Sequence, residues 1–103
     1  MLLLFGEPAA RDLEDIVDYI ALDNPAASES VYRAVQDACQ RLAEFPQMGR
    51  VGRLAGTREL SLTGLPYLLV YEVGSEAVII LAVFHGARDL AKDLAERRKT
   101  LKS

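Results

Sequence analysis

The sequence predicts an α+β fold in which a helical hairpin packs on a small, mostly antiparallel sheet, in the order β-α-α-β-β-β-α. Two observations carry this. Strand formers and tight-turn residues are concentrated in one stretch, GTRELSLTGLPYLLVYEVGSEAVIILAVFHGAR from Gly56 to Arg88. The chain before it is patterned almost entirely at helical spacing, and so is the segment after it. With 103 residues the chain forms one domain, residues 1–103, large enough to bury about 65% of its unfolded surface.

The first element is a strand over Leu2–Phe5, apolar throughout and joining the sheet. This start has no basic n-region or A-x-A-like site and is too short for a membrane span, so the cytoplasm is the expected compartment and no membrane partner is expected. Pro8 suits the first turn of a helix. Ala9, Leu13, Ile16, Val17 and Ile20 then follow at helical spacing, opposite Asp12, Glu14, Asp15 and Asp18. Asp23-Asn24-Pro25 ends this helix and starts the next, Asn24 as N-cap and Pro25 at N1. In the second helix Ala27, Val31, Val35, Ala38, Leu42 and Phe45 form one apolar seam, and Pro46 stops it. So short a turn makes the two helices an antiparallel hairpin.

From Gln47 to Gly56 there is no periodicity. Gly49, Gly52 and Gly56 bracket Arg50 and Arg53, which reads as a mobile loop whose cations are either solvated or a contact surface for a charged partner. Thr57–Leu62 alternates, with Arg58, Leu60 and Leu62 on the apolar side and Thr57, Glu59 and Ser61 on the other. After the Thr63-Gly64-Leu65-Pro66 turn, Tyr67–Val73 is apolar on both faces except at Glu72, and Gly74-Ser75-Glu76 closes a second hairpin. Ala77–Phe84 is an unbroken β-branched run, the expected central strand, covered on both faces. The last helix, Asp89–Leu101, collects Leu90, Ala91, Leu94 and Leu101 on one face. It ends in Arg97, Arg98, Lys99 and Lys102, cations that favour the negative end of a helix dipole.

The net charge of −3 argues against a protein that coats nucleic acid nonspecifically. One His and one Cys are too few ligands for a transition metal and exclude an internal disulfide, so no metal or other cofactor is expected. Cys39 sits among helical apolar neighbours and reads as core. The groups able to converge on one spot are Arg50, Arg53, Arg58, Tyr71, His85 and Arg88. Cleaving RNA through its own 2′-hydroxyl requires a base, an acid and cations at the phosphate. His85 suits the proton transfers, and Arg58 and Arg88 the phosphate clamp. A lone His at a strand end is more often a hydrogen-bonded structural residue.

The helical hairpin ending in LAEFPQMGR, then GTREL, GLPYLLVYEV and ILAVFHGARD in that order, resembles the RelE/ParE superfamily of type II toxin–antitoxin toxins, closest to ParE. The likeness runs from Pro8 to about Leu90. It implies a compact helical hairpin on a small sheet, and a toxin held inactive by a cognate antitoxin, usually encoded by the adjacent gene. It also implies one of two targets. ParE-like members block DNA gyrase without known catalytic chemistry, whereas RelE-like members cut mRNA in the ribosome. There is no Lys before Lys92, and Gly86 follows His85 where a nuclease-like Tyr would stand. The expectation is therefore a gyrase-directed toxin with Arg50, Arg53, Arg97, Arg98, Lys99 and Lys102 facing the target. The alternatives are a ribonuclease using Arg58, His85 and Arg88, and an attenuated member that only binds its antitoxin. Whether the chain is an enzyme stays open on the sequence, as do its oligomeric state and the antitoxin's identity.

Overall fold

A computed structural model describes residues 1–86 and Glu96. Arg88, the helix expected over 89–101 apart from Glu96, and Arg97, Arg98, Lys99 and Lys102 lie outside the described residues. The elements are β1 (Leu2–Phe5), α1 (Glu7–Ala21), α2 (Pro25–Glu44), β2 (Arg50–Val51), β3 (Arg58–Ser61), β4 (Tyr67–Val73) and β5 (Ala77–His85). The strands form one sheet in the order β1-β5-β4-β3-β2. Every pairing is antiparallel except β1 with β5, which is parallel because the helical hairpin carries the chain back across the sheet between them.

The helices start and stop where the local chemistry dictates. Pro8 lies in the first turn of α1. The Asn24 side chain accepts a hydrogen bond from the Ala27 N–H at 3.1 Å and caps α2. Gly64 sits at φ +75° in the β3–β4 turn, a conformation that side chains other than glycine's rarely adopt.

The apolar seam lays Val31, Val35, Ala38 and Leu42 of α2 into the core, but Phe45, the expected end of that seam, is exposed. It follows the last helical residue, Glu44, and its backbone has left helical dihedrals, so it no longer points along the seam. Ala9 and Leu13 of α1 complete the helical layer.

The sheet is buried on both faces. Leu69, Tyr71, Val78, Ile80 and Val83 meet the helices, while Leu68, Val70, Leu81, Ala82 and Phe84 form a second cluster with Leu54 and Ile79. β5 is interior as expected, although β4 occupies the middle position. Strict alternation would set Val83 on the side opposite Ile80. A bulge corrects the phase: Val70 pairs with Ala82 and Tyr71 with Ile80, leaving Leu81 as the extra residue. Val83 thereby returns to the helical side, and His85 two residues on shares its register.

Two sequence expectations change. The segment after Pro46 is not wholly irregular, since Arg50–Val51 pairs with Arg58 and Glu59. Thr57 and Glu59, expected on the polar side of β3, are both 2% exposed. Alternation separates the two faces of a strand but does not say which face is solvated when both are covered. No helix among the described residues is long and apolar enough to cross a membrane.

Candidate functional site

Glu59 organises the β2–β3 corner. Its carboxylate is almost wholly buried yet saturated with donors. Oε2 accepts from the Arg53 backbone N–H at 2.9 Å and from Arg53 Nε at 3.1 Å; Oε1 accepts from Arg53 Nη2 and Arg50 Nη2, each at 3.1 Å. Burial by itself pushes the Glu59 pKa up. The Arg53 N–H groups and guanidinium, joined by Arg50, outweigh it and hold the carboxyl below the usual carboxylate range. The arginine side chains stay 58% and 40% exposed, so the corner presents two oriented guanidiniums to solvent.

On the other side of β3, Arg58 is used structurally. Its Nε and Nη2 donate to the Gly49 carbonyl at 3.1 and 2.7 Å, and Nη2 also donates to the Gln47 carbonyl at 3.1 Å. The buried Tyr71 hydroxyl accepts from the Gly49 N–H at 2.9 Å and donates to the Pro46 carbonyl at 2.8 Å. Gly49 is required there, because a Cβ would fall 2.6 Å from that hydroxyl and 2.8 Å from the Glu59 carbonyl oxygen. Arg58 and Tyr71 thus clamp residues 46–49 to the sheet from opposite sides of one glycine.

His85 stands elsewhere. Its ring meets Tyr67 edge-on at 5.8 Å, beside a small cleft of about 160 Å³ lined also by Asp12, Asp15 and Ile16 of α1. Asp12 accepts the Val83 backbone N–H at 3.1 Å, on the stretch of β5 beyond its pairing with β1. Arg58 pairs with Tyr71 and His85 with Tyr67, on opposite flanks of β4. That is four residues along the strand and two strand spacings across it, roughly 16 Å between Cα atoms. Arg50, Arg53 and Arg58 therefore lie together in one corner, and Arg58 and His85 do not meet.

A third feature is a groove of about 600 Å³ at the opposite edge of the sheet, between β1 and the helical hairpin. Leu3, Phe5, Leu13, Val17, Val35 and Cys39 give it an apolar floor; Glu14, Asp18, Gln36 and Gln40 add polar groups. β1 is an edge strand, with Leu3 and Phe5 facing the groove and Leu2 and Leu4 exposed on the other face of the sheet. Burial pushes the Cys39 thiol up to about 11, so it is a protonated core group rather than a nucleophile. Among the described residues no cluster of His, Cys, Asp and Glu could hold a metal ion.

Sequence reasoning missed Glu59. One signal was available: between Glu44 and Glu59 there is no acid, so the nearest carboxylate following the two loop arginines in the chain is Glu59.

Comparison with known proteins agrees with this architecture. Residues 3–90 match the model of the family described as the ParE toxin of type II toxin–antitoxin system, parDE. The Sinorhizobium fredii protein Y4kP, named as a candidate toxin, is 43% identical over 77 residues, covering 75% of this chain and 79% of that protein. Toxin RelE2 of Caulobacter vibrioides is 36% identical over 80 residues, 78% of this chain and 89% of that one. A solved structure described as the chromosomal ParDE TA system from P. aeruginosa superposes with a TM-score of 0.65 at 27% identity, covering 82% of this chain and 95% of that one. With two helices on a five-stranded sheet among the described residues and a family match over residues 3–90, this chain belongs to the ParE toxin family of type II toxin–antitoxin systems.

Proposed function

We propose that this toxin acts by binding DNA gyrase and inhibiting it, as one domain in the cytoplasm, without catalytic chemistry of its own. The observation that supports this reading is the state of Arg58. Its Nε and Nη2 donate to the carbonyls of Gln47 and Gly49, and its Cα stands about 16 Å from that of His85. A guanidinium already turned onto its own backbone supports a bracing role for Arg58 over a phosphate clamp beside His85, since a general acid or base works within hydrogen-bond reach of its substrate. What remains at the surface suits binding rather than catalysis: the oriented Arg50 and Arg53, to which the reading adds Arg97, Arg98, Lys99 and Lys102.

As a type II toxin the protein has an antitoxin partner. The groove beside β1 is the proposed docking site for it. An apolar floor next to an edge strand suits a disordered segment that folds on binding, as a helix in the groove or as an added strand.

Purified toxin is expected to inhibit gyrase supercoiling at micromolar concentration or below, and trimming the chain after Glu96 to weaken arrest while sparing antitoxin binding. His85→Ala and Arg58→Ala should each leave inhibition within a few-fold of wild type if they fold, because a broad contact surface depends on no single catalytic group. Absence of inhibition, together with codon-positioned mRNA cuts in cells that vanish with His85→Ala, would establish the ribonuclease instead.

A further inference from the structure

The described charges are segregated. The two helices carry eight acidic residues against three arginines, whereas the β2–β3 corner sets Arg50, Arg53 and Arg58 against Glu59 alone, leaving two net positive charges. Buried Glu59 engages Nη2 of Arg50 and both Nε and Nη2 of Arg53, and Ser61 Oγ lies 3.5 Å from Arg50 Nη1, so both arginines are fixed while their side chains stay part-exposed. A free arginine loses rotamer freedom when it grips an anion; here folding has already ordered it.

From this we infer that the corner is a phosphodiester-binding site, contacting the backbone of nucleic acid, and that it stays open when the groove beside β1 is filled. Two observations favour phosphates over an acidic peptide. β2 is two residues long, and the Gly52 N–H turns inward to the Thr57 carbonyl at 2.8 Å, so the edge offers an incoming strand too short a run of outward-facing groups for a ladder. The corner also projects, with Val51 78% exposed between the arginines, and a projecting pair of forks reaches phosphates that a duplex displays on its outside. The two sites are independent because β1 and β2 are opposite edges, about 19 Å apart over four strand spacings.

This inference rests on the reading of Arg50 and Arg53 as target-facing, but its test contains no gyrase. Its failure therefore leaves the supercoiling result standing, and the reverse also holds. Binding of the full chain to a fluorescent duplex of about 20 base pairs is followed by anisotropy across a salt series. Arg50→Ala and Arg53→Ala should each weaken binding several-fold and flatten the plot of log affinity against log salt by about 0.9. Arg33→Ala, an exposed α2 residue paired with Glu29, should change neither. Arg53→Ala strips Glu59 of its main partner; should it fail to fold, Arg50→Ala decides, since there the Arg53 fork is intact. The same loss on Arg50→Ala is expected in the toxin–antitoxin complex. The proposal is overturned if the wild type does not bind the duplex at low salt, if the arginine variants match Arg33→Ala, or if poly-glutamate competes as well as unlabelled duplex. Loss of the Arg50 effect in the complex would overturn the independence of the two sites.

Discussion

Glu59 shows how one buried charge can specify a surface. Its folded-state pKa is depressed, so its contribution to stability is complete above the unfolded value of about 4.3 and is lost as pH falls through the folded value. Glu59→Gln should therefore destabilise the protein at neutral pH and flatten the acid limb of its stability profile. The cost should be about 2–3 kcal/mol, below the usual penalty for breaking a buried ion pair because both arginines are half in water. Urea melts from pH 3 to 7 check this, and an unchanged acid limb would show that the carboxylate does not carry it. Tyr71→Phe should cost about 1–3 kcal/mol, because the Gly49 N–H and Pro46 carbonyl lose a common partner.

At the scale of elements, β5 is the spine of the described fold. It pairs with β1 and β4, and its residues reach the core on both faces of the sheet. Ile80→Ala should cost on the order of 2–5 kcal/mol in denaturant melts, with a loss under about 0.5 kcal/mol contradicting its place in the core. Both helices were legible as elements because proline, asparagine and apolar spacing all agree on where they begin. β2 was not, since two residues carry no period. They become a strand only because Arg58 and Glu59 are already held beside them by β4.

For the whole molecule, the sheet separates two surfaces of different character, the groove at the β1 edge and the cationic corner at the β2 edge. Placing a charge in the groove should therefore break neutralisation without breaking the toxin. Val17→Arg is expected to reduce antitoxin co-purification at least tenfold, in line with the loss of a central apolar contact, and to leave growth arrest intact. Co-purification at the wild-type level would place the antitoxin elsewhere.

Local chemistry determined the hairpin, the order of β1, β3, β4 and β5 along the chain, the turns and the core status of Val35, Leu42, Ile80 and Leu81, because caps, periodicity and turn residues act over a few positions. The order of strings such as GTREL and GLPYLLVYEV was enough to point to the family. Tertiary structure decided what the polar groups do. Glu59 and Arg53 are six residues apart in sequence, Tyr71 and Gly49 twenty-two, and Asp12 and Val83 seventy-one. Hydrogen bonds over such separations leave no period to read, and the bulge at Leu81 shifts the phase that strict alternation would give His85. Whether an arginine is a clamp for substrate or a brace for its own backbone depends on which carbonyls the fold brings within hydrogen-bond reach, and Arg58 meets those of Gly49 and Gln47 where β3 pairs with β2 and β4.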